Sequence, residues 1–186
     1  MIGASIVDLA VLGIASDGPI KPDSIAVAAK ALVPEHWHPT TSVIAAVIER
    51  NLGTAHLRRT GVHRSDERLN VTLKGIAKTK KLLLCPPEDL APSAFHAAEA
   101  IQMCLLDSTD AKTAHSVLTS FRNRLQARLE SFEQRSAKCP YEGRYKTFWM
   151  DMEQQRLEAM VHFLTGVADE AGMSKDVDQV QTDIAQ

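Results

Sequence analysis

Helix-breaking residues recur so closely in the first third of the chain that only short helices fit between them. Residues 4–15 carry Ile6, Val7, Leu9, Ala10, Val11, Leu12 and Ile14, so they read as a mostly buried helix, and Ser16-Asp17-Gly18-Pro19 ends it. Pro22-Asp23-Ser24 opens a second helix, from about Asp23 to Leu32, with Ile25, Ala28, Ala29 and Leu32 facing inward. Val33-Pro34 stops it, because a residue before proline is pushed out of the α region. A third helix starts near Pro39-Thr40-Thr41, where proline is tolerated and a hydroxyl can accept the free backbone N–H groups. Its inner stripe is Val43, Ile44, Val47 and Ile48, which leaves Thr41, Ser42, Ala45, Ala46 and Glu49 on the opposite face. Three short helices with tight turns, within about 50 residues, are the layout of a helix-turn-helix domain.

The period then changes. Residues 54–58 and 68–72 alternate as two short strands, and the loop between them holds Gly61, His63 and Arg64. A hairpin directly after a third helix is the wing of a winged helix. Thr72 can cap a further helix from Leu73 to about Leu84, and Cys85-Pro86-Pro87 terminates it at the expected domain boundary. Beyond that point helical patterns dominate. Residues 92–106 are alanine-rich with Phe95, Ile101, Met103 and Leu105, and Asp107-Ser108-Thr109-Asp110 is a helix start signal. The helix it opens, residues 110–135, carries Ala114, Leu118, Phe121, Leu125, Leu129 and Phe132 at steps of three and four. After a break at residues 139–143, the last helix holds Tyr145, Phe148, Trp149, Met152, Met160, Phe163, Leu164 and Val167, and Gly172 is expected to stop it. The expected fold is therefore mainly α. A winged helix-turn-helix spans 1–85, a helical dimerisation domain spans 86–173, and a polar, frayed tail spans 174–186.

Composition sets limits on this reading. With 186 residues, 45% of them apolar and 24% charged, the chain is neither wholly disordered nor collagen-like. No apolar run reaches the roughly 18 residues of a membrane-spanning helix, and no basic region opens a secretory signal, so a cytoplasmic location away from membranes is expected. Cys85, Cys104 and Cys139 are odd in number and far apart, which fits a reducing compartment better than a disulfide framework. The net charge of −2 hides an asymmetry. From Arg50 to Lys81 nine basic residues face two acidic ones, an excess of +7, and the rest of the chain carries −9. Such segregation suits a face built for an anionic polymer, and equally a solvated basic loop.

Signs of catalysis are weak. His36-Trp37-His38 offers two nitrogens, but no further Cys or His pair at ligand spacing completes a metal site. The chain has no Gly-rich phosphate loop, Gly-x-Ser-x-Gly elbow or His-Glu-x-x-His motif. Glu130, Glu133, Asp151 and Glu153 spread over helix faces as solubilising charge does, and Cys104 falls on an apolar face as an inert core residue. No catalytic residue, cofactor or metal is expected.

Three local patterns resemble the PadR-like family of bacterial winged-helix transcriptional regulators. Leu9 to Gly18 is similar to that family's opening helix, Ile44 to Leu52 to its third helix, and Leu69-Asn-Val-Thr-Leu-Lys-Gly75 to its strand-to-helix junction. Pro22-Asp23-Ser24 stands where the family has Gly-Tyr and Ile44 where it has tyrosine, so the resemblance is to a divergent branch. It implies a non-enzymatic regulator that binds double-stranded DNA as a homodimer, with room for a small-molecule effector. The alternative is a protein-interaction module of the same fold that does not bind DNA. Phosphate contacts then fall to Arg58, Arg59, Arg64 and Arg68 on the wing and to Lys74, with Lys78 and Lys81 on the same helix face. The third helix would read bases through Thr40, Thr41, Ser42 and Ala45. Dimerisation falls to Leu118, Phe121, Leu125, Trp149, Met152 and Phe163, whose apolar stripes no single helix can bury. An effector pocket is expected near Phe95, Phe148, Trp149 and Met152, residues that serve equally well as plain core.

Overall fold

The computed structural model describes residues 2–61, 66–85 and 92–184, without the side chains of residues 2–5, 92–93 and 172–184. Its elements run α1 (Ile2–Ile14), α2 (Pro22–Ala31), α3 (Thr41–Gly53), β1 (Leu57–Thr60), β2 (Arg68–Val71), α4 (Leu73–Leu83), α5 (Pro92–Cys104), α6 (Ala111–Ala137) and α7 (Arg144–Ile184). Two compact units divide between Thr113 and Ala114.

In the N-terminal unit, α1 is the central helix and packs against α2, α3, α4 and α5. A helix apolar all round belongs inside, and Ile6, Val7, Leu9, Ala10, Val11, Leu12 and Ile14 are all buried. Pro22 starts α2 one residue before the expected position, and only Ile25 and Ala29 of its expected stripe are fully buried. Thr40 caps α3, accepting from the Val43 backbone N–H. Ile44, Val47 and Ile48 of α3 are buried as expected, but Val43 is 45% exposed and its place inside is taken by Asn51. Asn51 continues the four-residue step from Val47.

The hairpin is present as an antiparallel pair in the register Leu57↔Val71, Arg58↔Asn70, Arg59↔Leu69 and Thr60↔Arg68. Its first strand begins at Leu57 rather than Thr54. Thr54 is spent closing α3, and Ala55 takes a left-handed φ of 57°, a conformation a strand does not contain. A feature with no sequence signal ties the hairpin down: Ile20, in the α1–α2 connection, exchanges both backbone hydrogen bonds with Leu69. Thr72 caps α4 through the Gly75 N–H, as expected, and also donates to the Ala55 carbonyl.

The domain boundary expected at 85–86 falls later in the packing. Ala97, Ala98, Ile101 and Leu105 are buried, and α5 packs on α1, so α5 counts with the N-terminal unit. Cys104, expected as an inert core residue, is exposed, because the buried stripe of α5 passes through Ile101 and Leu105 instead. Asp110 caps α6 by accepting from the Thr113 N–H. In the C-terminal unit, α6 buries Val117, Leu118, Phe121 and Leu129, and α7 buries Leu157, Leu164 and Ala168. His115 Nδ1 lies 2.9 Å from the Ala168 carbonyl oxygen, joining the two helices. Helix α7 continues past Gly172 to Ile184, through the segment expected as a frayed tail. A glycine costs a helix interior roughly 1 kcal/mol and does not end it by itself when no proline follows.

Candidate nucleic-acid interface

Thr40, Thr41, Ser42, Ala45, Ala46 and Glu49 all lie exposed along one side of α3. Thr40 Oγ1 and Ser42 Oγ are 2.9 Å apart, so the hydroxyls of this first turn form a local pair around the free N–H groups. Small side chains there leave the backbone open to close approach.

The arginines of the hairpin divide between its two faces, because side chains alternate along a strand. Leu57 and Leu69 are buried and mark the inner face. Arg59 shares that face and reaches α3, where its Nη2 donates to Glu49 Oε1, while its Nε pairs with Glu67 Oε1 at 2.9 Å. Arg58 stands on the outer face opposite Asn70, and Arg68 on the same face opposite Thr60. Arg68 Nη1 donates to the Glu67 carbonyl at 3.2 Å, and Arg58 has no acidic partner among the described residues. Arg64, expected at the hairpin tip, lies outside the described residues.

Much of the basic segment is paired with groups of the same unit. Asp8 of α1 is only 7% exposed, the one charge on that helix. Its Oδ2 accepts from Arg50 Nη2 at 2.8 Å, and its Oδ1 accepts from Asn51 Nδ2 at 2.6 Å with Lys78 Nζ at 3.3 Å. Lys78 also donates to Asn51 Oδ1 at 3.1 Å, and Asn51 Nδ2 to the Val47 carbonyl at 2.9 Å. The cluster locks the C-terminal turn of α3 between α1 and α4. Lys78 is thus a partly buried tether and not an open member of the helix face it shares with Lys74 and Lys81. Lys74 Nζ donates to the Thr54 carbonyl at 3.0 Å, and Lys80 pairs with Asp110 at 2.9 Å. The Lys80 ammonium and the Thr113 N–H hold the Asp110 carboxyl well below the usual range. Asp8, Glu49 and Asp110 come from outside residues 50–81, so they lower the local excess from +7 to about +4. Asp8 carries its own sequence signal, since a lone carboxylate within a mostly apolar helix requires a buried partner.

His56 sits where this cluster meets the hairpin, its Nδ1 2.6 Å from Thr54 Oγ1. Burial and the nearby Lys78 and Lys74 ammonium groups push its pKa below 6.5, against a smaller opposing pull from Asp8. The unfolded chain therefore takes up this proton at higher pH than the folded one. Stability is expected to be full above about pH 6.5 and to fall as the pH drops below it. Thermal melts between pH 7.5 and 5 check this: His56→Gln should flatten the slope, and an unchanged slope would rule His56 out as its source.

In the C-terminal unit the residues expected at a subunit interface separate into two groups. Leu118 and Phe121 are buried within the chain at 2% and 3% exposure, Leu125 is half-buried, and the Arg124 guanidinium lies 4.5 Å over the Phe121 ring. Trp149, Met152 and Phe163 are exposed with Tyr145, Phe148 and Met160. At 100° per residue these six fall within about 120° of one another on α7. Phe95 belongs to the other unit, where its ring meets His96 edge-on. The N-terminal unit holds an open recess of about 550 Å³ lined by Ile14, Asp17, Ile20, Ala28, Leu32, Cys104 and Leu105. Among the described residues no cluster of three or more His, Cys, Asp or Glu could hold a metal ion, and no helix is long and apolar enough to cross a membrane.

Neither a protein-family model nor a curated protein matches the chain. Among solved structures it is similar to the PadR-like transcriptional regulator BC1756 from Bacillus cereus, at 11% identity over 90% of this chain and 99% of that one, with a TM-score of 0.39. It is also similar to Bacillus subtilis PadR in complex with operator DNA, at 14% identity over 89% and 97% of the two chains and a TM-score of 0.38. A third similarity is to Bacillus subtilis PadR in complex with p-coumaric acid, at 13% identity over 91% and 97% and a TM-score of 0.39.

Proposed function

We propose that this chain is a sequence-specific, non-enzymatic transcriptional regulator that binds double-stranded DNA as a homodimer. The observation that carries the reading is the small-sided, exposed face of α3 set beside an arginine-bearing hairpin, joined by the Arg59–Glu49 contact. Helix α3 enters the major groove, with Thr40, Thr41, Ser42 and Ala45 at the base edges. Arg58 and Arg68 on the outer hairpin face, Arg64 between the two strands in sequence, and Lys74 meet the backbone or the minor groove. The exposed stripe of α7 supports the dimer, since a second copy would cover Trp149, Met152 and Phe163 with the same residues. A two-fold pair would place its two α3 helices about 34 Å apart, one turn of DNA. For a small-molecule effector, the recess beside Cys104 offers the room.

Fluorescence anisotropy of a labelled duplex across a salt series tests DNA binding. Each phosphate contact contributes about −0.9 to the slope of log K against log salt. Replacing both Arg58 and Arg68 by Ala should make the slope shallower by about 3.6, two contacts in each subunit of the dimer. Light scattering tests the dimer: Trp149→Ser with Phe163→Ser should halve the mass in solution and weaken DNA binding. Absent or salt-insensitive binding by a chain that still dimerises overturns the DNA reading and supports the interaction module of the same fold.

A further inference from the structure

We infer that Glu49 competes with DNA phosphate for Arg59, so that the junction between α3 and the hairpin carries its own restraint on DNA affinity; this rests on the DNA-binding reading above. The Nε and Nη2 groups of Arg59 form the edge of the guanidinium that suits side-on, bidentate capture of a phosphate. Both are taken in the free protein. Nη2 donates to Glu49 Oε1 on α3, and Nε lies 2.9 Å from Glu67 Oε1, just ahead of β2, in an ion pair. One arginine between two carboxylates sums to −1, so this place repels phosphate until a carboxylate lets go.

The exposure of the group sets its role. The side chains of Arg59 and Glu49 are 53% and 65% exposed, and an exposed pair of this kind contributes little to folding. Its effect is felt where a competing anion arrives. Glu49 is also the acidic residue on the side of α3 that carries Thr41, Ser42 and Ala45, so the competition takes place at the interface itself. A duplex that draws Arg59 away gains one phosphate contact and leaves Glu49 facing the groove, where a carboxylate can accept from a cytosine amino group.

A mutant cycle with Glu49→Gln and Arg59→Met separates this from simple removal of a negative charge, since methionine keeps the apolar stem of Arg59. Anisotropy titrations of a labelled duplex of mixed sequence, over a salt series, supply the readout, and circular dichroism checks that each variant is folded. With Arg59 present, E49Q should tighten binding about two- to fivefold and steepen the salt slope by up to about 1.8, the value of one added phosphate contact in each subunit. In the R59M background, E49Q should change neither. Equal gains in both backgrounds would overturn the inference, because Glu49 would then act as a bare charge. A loss of affinity in E49Q would overturn it too. Failure of the wild-type chain to bind in its own salt series would instead remove the DNA-binding reading, a result visible before any variant is compared.

Discussion

Gly75→Ala is expected to destabilise the N-terminal unit by about 3 kcal/mol, against the usual gain of up to 1 kcal/mol for alanine in a helix. A Cβ at Gly75 would stand 2.1 Å from the His56 carbonyl oxygen and 2.6 Å from the Val71 side chain. The first contact is backbone, so it cannot turn aside as a flexible side chain can. That carbonyl also accepts from the Thr72 N–H at 3.0 Å and the Thr72 hydroxyl at 3.2 Å. Moving it away from the new methyl disturbs the start of α4 and the entry to β1 together. Urea unfolding gives the test, with Gly166→Ala on α7 as the control, because nothing lies within 4 Å of a Cβ there. The control should be neutral or slightly stabilising. A Gly75→Ala protein as stable as wild type would mean that the approach of α4 to residue 56 is looser than the structure has it.

The second large effect is expected at Asp8. Asp8→Ala leaves Arg50 and Lys78 without their shared anion and removes an acceptor from Asn51, which is 0% exposed. Breaking a buried charge cluster by removing one partner costs roughly 3–5 kcal/mol. Arg50 is 45% exposed and Lys78 26%, so water recovers part of that and about 2–3 kcal/mol is expected. Much of the penalty comes from the stranded Lys78 ammonium. The double variant Asp8→Ala with Lys78→Met should accordingly recover about 1 kcal/mol relative to Asp8→Ala alone. Because the cluster locks the C-terminal turn of α3, Asp8→Ala should also weaken DNA binding without changing any residue on the exposed face of that helix. Additive loss in the double variant would show that Lys78 and Asp8 act independently.

The local chemistry of this chain was legible where it depends on neighbours in sequence. Thr40 and Thr72 as helix caps, Asp110 at the start of α6, the hairpin after the third helix and the burial of Leu118, Phe121 and Leu129 on α6 all follow from short-range rules of capping and periodicity. Cys104 and Val43 were misplaced because a helix stripe is wide and its edge residues are assigned only by what packs against them. The strand start slipped to Leu57 because the cap of α3 and the left-handed Ala55 used residues whose alternation imitates a strand.

The candidate interface shows the same division more sharply. The nine cations between Arg50 and Lys81 are countable in sequence, and so is the polar, small-sided face of α3. Which of those cations are paired is not countable, because their partners Asp8 and Asp110 stand up to 70 positions away from them. Linear order thus determined the kinds of elements, their caps and the total charge, all of which depend on groups a few residues apart. Only the tertiary structure decided how much of that charge still faces solvent, since pairing of ions depends on distances in space that folding alone creates.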